Sequence, residues 1–131
     1  MKISLTIAVF ITILGAGFPD GEWEKSKNRG KEVFENYCVA CHQGTGQGII
    51  GAFPPLAKSD YLMADPARAA RAIKFGQSGE IVVNGVKYNN YMAELGLEDQ
   101  EIADVMNYIM NSWGNKADSM ISVDFIRGIK E

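Results

Sequence analysis

The two cysteines and the single histidine of this 131-residue chain fall within five consecutive positions, Cys38-Val39-Ala40-Cys41-His42. No other stretch restricts so strongly what the chain must fold around. In a helical segment, positions i, i+3 and i+4 share one face, so both thiols and the imidazole would meet one flat ligand. C-x-x-C-H is the attachment signature of c-type haem. Cys38 and Cys41 would form thioethers to its vinyl groups, fixing the porphyrin edge, while His42 supplies an axial nitrogen to iron.

Three other chemistries fit parts of this pattern. A thioredoxin-type C-x-x-C belongs in a βαβ context, and no strand pattern precedes Cys38. A structural zinc site takes four ligands, and the cluster offers three. A plain disulfide gives the adjacent histidine no role. Covalent haem uses all three residues.

Composition places limits on the rest. With 47% hydrophobic and 22% charged residues, the chain suits one globular domain and has no room for a second core. Its formal net charge of −3 provides no overall basic field, which argues against a nucleic-acid partner.

The N-terminus reads as an export signal. Residues Met1 to Gly17 carry a cation at Lys2, an apolar or hydroxyl run from Ile3 to Leu14, and small residues at Gly15, Ala16 and Gly17. Such a run is short for a bilayer span and suits a cleaved signal peptide, with an uncleaved anchor as the alternative. Cleavage after Gly17 would leave residues 18–131 as an acidic periplasmic domain, its core at about 28–115 and an extension at 116–131. Haem attachment outside the cytoplasm agrees with this.

Gly46-Gln47-Gly48-Ile49-Ile50-Gly51 matches G-x-G-x-x-G, but a dinucleotide fingerprint must follow a strand and open a helix. Here the segment follows the cysteine motif and runs into Phe53-Pro54-Pro55-Leu56, where prolines oppose a helix. Nucleotide binding is rejected. These glycines are expected instead to let the backbone wrap a cofactor edge.

A second axial ligand within the chain cannot be histidine. Methionine is the strong remaining donor, and the His/Met pairing raises potential in cytochromes c. Met1 would leave with the signal, Met106 and Met110 lie in a helical pattern, and Met63 and Met120 sit near the ends of uncertain segments. Met92 follows Ile81-Val82-Val83-Asn84-Gly85-Val86-Lys87-Tyr88, in which Asn-Gly between β-prone residues predicts a hairpin. It therefore falls on an irregular segment before the last strong helix, with core packing as the alternative role.

Three helices are expected. The first runs from about Lys27 into the cysteine motif, with Val33, Phe34 and Tyr37 at helical spacing. The second has Asp65 as N-cap, Pro66 at the first position and Gly76 as its stop. The third, about Asp99 to Trp113, aligns Ile102, Val105, Met106, Ile109 and Trp113, with Gly114 to end it. Residues 115–131 are too apolar for a solvated tail and are expected to pack back.

With these pieces in place the chain resembles a class I cytochrome c across about Asn28 to Asn115. Gly30 and Phe34 match the family's N-terminal helix, whose glycine permits close contact with the C-terminal helix, where Val105 and Tyr108 match the partner positions. Pro54 and Leu56 match the Pro-x-Leu whose proline carbonyl orients the haem-ligating histidine. Val83-Asn84-Gly85, Tyr88, Met92, Ile102 to Val105 and Ser112 to Asn115 look like a bacterial branch found as free periplasmic cytochromes and in alcohol dehydrogenases and copper nitrite reductases. The resemblance implies an all-α domain wrapped around one covalent haem c, a short β-hairpin before the methionine loop, and His42 and Met92 as iron ligands. Two departures stand out. Ala93 follows Met92 where the family usually has proline, and Glu98 replaces the serine that often starts the last helix.

The expected function is one-electron transfer between redox proteins, a donor and an acceptor among oxidases, reductases and dehydrogenases, by a monomer that meets membranes only through partners. No acid and base pair suggests an enzyme. The acidic balance points to a positively charged partner patch. A haem sensor or peroxidase with a labile sixth position, prompted by Ala93, and a fixed subunit of a larger oxidoreductase are the alternatives.

Overall fold

Gly30 and Phe34 set the helix crossing on which the fold is built. In the computed structural model, which describes residues 20–131, α1 (Asp20–Tyr37) lies against a late helix numbered α5 below (Asp99–Ile109). A Cβ at Gly30 would overlap the Asp104 carbonyl oxygen and stand 2.9 Å from the Tyr108 Cβ, so only glycine admits this approach. Phe34, Ile102 and Met106 are almost wholly buried in the core around this crossing. Each such side chain contributes on the order of 1.5–3 kcal/mol on leaving water.

The order continues with α2 (Val39–His42), α3 (Asp60–Ala64), α4 (Pro66–Phe75), β1 (Ile81–Val83), β2 (Val86–Tyr88), α5 and α6 (Val123–Gly128). Among the described residues the architecture is mostly helical with one small antiparallel hairpin, consistent with the all-α domain expected. In that hairpin Ile81 pairs with Tyr88 and Val83 with Val86. Asn84 and Gly85 both take positive φ, 50° and 79°, giving the turn that matches strand twist. Asn84 also ties the hairpin to α3, since its Oδ1 accepts from Asp60 N–H at 3.0 Å and its own N–H donates to Asp60 Oδ1 at 2.7 Å.

Helix α4 follows its sequence signals: the Asp65 carboxylate accepts from Arg68 N–H at 2.9 Å, Pro66 opens the first turn, and Gly76 ends it at φ 83°. The other helices differ from expectation at their ends. The first begins by Asp20 rather than Lys27, because its early turns bury Ser26 instead of an apolar stripe. The last ends at Ile109 rather than Trp113. Trp113 turns out of the helix at φ 52° and lays its ring against Phe34 and Tyr108, with centroids 4.9 and 5.4 Å away. Glu98 starts α5 better than its residue type suggested, because the Glu101 carboxylate accepts the Glu98 N–H at 2.9 Å.

Residues beyond Asn115 pack back onto α5 and α4. Asn107 holds Ile121 as a backbone strand would, donating from Nδ2 to its carbonyl at 2.9 Å and accepting its N–H at 2.7 Å. Ile121 and the fully buried Ile126 join the core. Lys74 of α4 donates to the Ile126 carbonyl at 3.0 Å and pairs with Asp99 at 2.8 Å. The proposed signal segment, residues 1–17, lies outside the described residues.

Candidate haem site

The cysteine motif bridges two helices. α1 ends at Tyr37, Cys38 occupies the junction, and the chain resumes helical form at Val39. Helical bonding nonetheless runs through the junction: Cys38 N–H donates to Phe34 O at 2.9 Å, and His42 N–H donates to Cys38 O at 2.9 Å. The i, i+3, i+4 arrangement therefore holds. Both cysteines are free thiols, Cys41 exposed and Cys38 partly buried. Burial, with Cys41 alongside, pushes the Cys38 thiol up to about 11.

These residues open onto a cavity of about 340 Å³. Its walls come from most of the fold: Pro54 to Leu56 after the motif, Leu62 of α3, Ile73 of α4, Val83 and Tyr88 of the hairpin, and Val105 and Ile109 of α5. No Asp, Glu, Lys or Arg lines it. Cys38, Cys41, His42 and Met92 all do, so the four site residues expected from sequence share one cavity. Among the described residues Met92 is the only methionine in its wall. Met106 and Met110 are core residues, and Met63 packs against that core.

His42 is buried, and its Nδ1 lies 2.9 Å from the Pro54 carbonyl oxygen. A carbonyl can only accept, so Nδ1 carries the proton and Nε2 keeps a free lone pair. The bond also fixes the ring. Burial pushes the imidazole below its ordinary range, against the Pro54 bond, which favours the charged form. The neutral form is the one that can ligate a metal.

Met92 is fixed through its backbone. Its N–H donates to Gln77 O, and Gln77 N–H donates to Met92 O, both at 2.9 Å, in an isolated antiparallel bridge. Gly76 permits this bridge, since a Cβ there would stand 2.8 Å from Met92 O. The restraint expected of a proline at position 93 is thus supplied from the end of α4.

Other expectations change. Among the glycines after the motif, Gly46 lets the backbone meet the Trp113 ring, and Gly48 lets it meet the Phe53 and Pro54 backbone. Neither wraps a cofactor edge; none of Gly44, Gly46, Gly48 and Gly51 lines the cavity, because the loop closes on protein. At the helix crossing Gly30 meets Asp104 and Tyr108, whereas Val105 faces the cavity. Among the described residues no three His, Cys, Asp or Glu side chains are placed to hold a metal ion, so the zinc alternative gains no support.

Arg68 was not singled out in the sequence. Its guanidinium stacks 3.7 Å from the centroid of Tyr61, a residue of the cavity wall, and its buried Nε has no partner among the described residues. Nothing in sequence spacing marks this arginine, because the contact arises from the α3–α4 corner. An apolar cavity, two free thiols, an imidazole with Nε2 available, a thioether and, beside the wall, an arginine that donates to the Tyr61 carbonyl at 2.7 Å but has no carboxylate partner among the described residues together fit a haem, whose ring is apolar and whose carboxylates are anionic.

Comparisons with known proteins agree. A family model for cytochrome c matches residues 28–113. Cytochrome c-552 of Thermus thermophilus is 43% identical over 83 residues, covering 60% of this chain and 63% of its own length. The cytochrome c subunit of the quinone alcohol dehydrogenase of Gluconobacter oxydans (strain 621H) is 33% identical over 110 residues, 79% of this chain and 22% of that subunit. A subunit of the cbb3-type cytochrome c oxidase of Rhodobacter capsulatus is 31% identical over 97 residues, 71% of this chain and 32% of its own length. This chain therefore spans less than two thirds of each of these relatives. The motif, the cavity and the family match lead to one conclusion: the chain belongs to the cytochrome c family, whose members carry electrons on a covalently bound haem c.

Proposed function

We propose that the protein is an exported one-electron carrier in which Cys38 and Cys41 would tether the haem and His42 and Met92 would supply the ligands to its iron. The observation that carries this reading is the convergence of those four side chains on one uncharged cavity, with the His42 proton already committed to Pro54. When bound, haem supplies an iron that alternates between ferrous and ferric states. The protein does the rest. Pro54 holds the imidazole ring in place, and the Gln77 bridge holds the Met92 backbone at the cavity wall. Val83, Tyr88, Val105 and Ile109 keep water out, and a dry site with a thioether ligand favours a raised potential.

Residues 1–17 act as a signal peptide, placing the domain at 18–131, with its core at about 28–115, in the periplasm as a monomer. Its relatives include the cytochrome c subunit of an alcohol dehydrogenase and a subunit of a cytochrome c oxidase, so a dehydrogenase as donor and an oxidase or reductase as acceptor suit this chain. The likeness to the dehydrogenase subunit over 79% of the chain also favours a second reading, a fixed electron-transfer subunit. Stable co-purification with a larger catalytic chain would select it.

Mass spectrometry of protein exported through a haem-maturing host should give residues 18–131 plus one haem. The ferric form should show a sulfur-to-iron charge-transfer band that Met92→Ala removes and Met63→Ala retains. A high-spin ferric resting state with rapid peroxide turnover would overturn the carrier reading in favour of a peroxidase.

A further inference from the structure

Beyond the end of α5 the chain reverses through two left-handed residues, Trp113 at φ 52° and Gly114 at φ 92°, and brings Asn115 back over the helix. There Asn115 is buried, and its Nδ2 donates to Ile109 O at 2.8 Å and to Leu56 O at 2.7 Å. Ile109 O is one of the carbonyls that a helix end leaves without a partner. Two others are met in the same way: Asn111 Nδ2 donates to Asn107 O at 2.9 Å, and Ser112 Oγ donates to Tyr108 O at 2.7 Å. One donor from Asn115 therefore completes the cap. The second reaches a separate segment, 59 residues earlier in the chain. The Asn115 Oδ1 is buried with no donor among the described residues, so the side chain is placed for what it donates.

Leu56 ends the run Pro54-Pro55-Leu56, whose first carbonyl holds the His42 ring. Proline locks φ and has no N–H, so the run has a single backbone donor, Leu56 N–H, which reaches Gly46 O at 2.8 Å. Its far carbonyl is held by Asn115. Few torsions separate the Leu56 and Pro54 carbonyls, and the Pro55 ring fixes one of them, so a shift at Leu56 carries to Pro54. We propose that Asn115 is a positioning residue for the haem-ligating imidazole: by tying Leu56 to the end of α5 it holds the Pro54 carbonyl on His42 Nδ1, and through that bond it sets part of the reduction potential. This assignment rests on the carrier reading above and adds a residue that does not itself line the cavity. Donation from Nδ1 to a carbonyl makes the imidazole a more basic ligand, which favours the ferric state. Loosening of Pro54 should therefore raise the midpoint. Water entering a generally loosened cavity acts the other way, because a dry site favours a raised potential. The sign of the shift separates positioning from a merely structural role.

Potentiometry and proton NMR of the ferrous holoprotein test the assignment. In wild type the two Asn115 side-chain amide protons should be resolved, and should exchange with water at least about tenfold more slowly than those of the exposed Asn28. Asn115→Ala should exchange the His42 Nδ1 proton about tenfold faster and shift the midpoint positive, with the Met92 charge-transfer band retained. Asn115→Ser, which keeps one donor, should fall between the two. Ser112→Ala removes a bond at the same helix end without touching Leu56, and should leave both readouts at wild type. Wild-type proton exchange and midpoint in Asn115→Ala would overturn the assignment. So would a negative midpoint shift, which gives the residue a structural role only. Where Asn115→Ala yields no holoprotein, the other two proteins decide: fast, averaged Asn115 amide protons in wild type, or an Asn115→Ser protein identical to wild type, would overturn it. The haem mass and the ferric band of the wild type are recorded first: loss of either there is failure of the carrier reading, separate from any result at Asn115.

Discussion

At the α1–α5 crossing, side chains fix the backbone: Gly30 opens the gap, and Asp104, buried on α5, accepts from Ser26 at 2.5 Å, from Arg29 at 2.7 and 2.9 Å and from Gln100 at 3.0 Å. At the Met92 loop, the backbone fixes a side chain: two bonds between Gln77 and Met92, passing over Gly76, set where one thioether can point. The first region joins elements far apart in sequence and supports the whole fold. The second is local to the cavity and supports the site. Damage to the crossing should appear as lost stability, and damage to the loop as an altered haem environment.

The largest expected effect is at Gly30. Gly30→Ala gains up to about 1 kcal/mol of helix propensity, but its Cβ overlaps the Asp104 carbonyl, so the helices must separate. A net loss of about 3 kcal/mol is expected, read as a lower urea midpoint for the holoprotein. Wild-type stability would show that the crossing does not support the fold. Asp104→Ala follows, removing the acceptor shared by Ser26, Arg29 and Gln100. It should cost about 2–4 kcal/mol, again by urea unfolding, with the charge-transfer band unmoved. The smallest change in stability belongs to Gly76→Ala. A side chain at φ 83° beside Met92 O should cost about 1–2 kcal/mol, yet it should shift or weaken the band that reports Met92. A Gly76→Ala protein with an unchanged band would mean that the bridge does not position the thioether, and the contrast between the two regions would fall.

The charge pattern divides along the same line. The crossing carries an ion pair between the buried Asp104 and the exposed Arg29, whose guanidinium is held above its ordinary value through the Asp104 hydrogen bond. The cavity wall carries no ionised side chain. A fixed joint can satisfy a buried charge by geometry, whereas an apolar wall has no counter-ion to offer.

Legibility in the sequence varied with how local the cause was. Asp65, Pro66 and Gly76 announced α4, and Asn84-Gly85 announced the hairpin, because capping and turn geometry are decided within a few residues. The end of α5 was misread because Trp113 stands four residues after Ile109, at helical spacing, while contact with Phe34 draws it out of the helix. Helix α6 and the return of Ile121 to the core were only partly legible, since Asn107, far back on α5, supplies the bonds that hold them. Arg68 carried no signal at all.

The sequence by itself determined the chemistry. Two thiols and an imidazole at i, i+3 and i+4, with no other histidine, admit covalent haem and little else, and that follows from spacing within one turn. The folded arrangement alone settles which thioether meets the cavity and how a loop without proline is held. Those depend on contacts between residues tens of positions apart, such as Gln77 with Met92 and Asn90 with Ala52, which come together only when α4, the hairpin and the motif loop close around the same space.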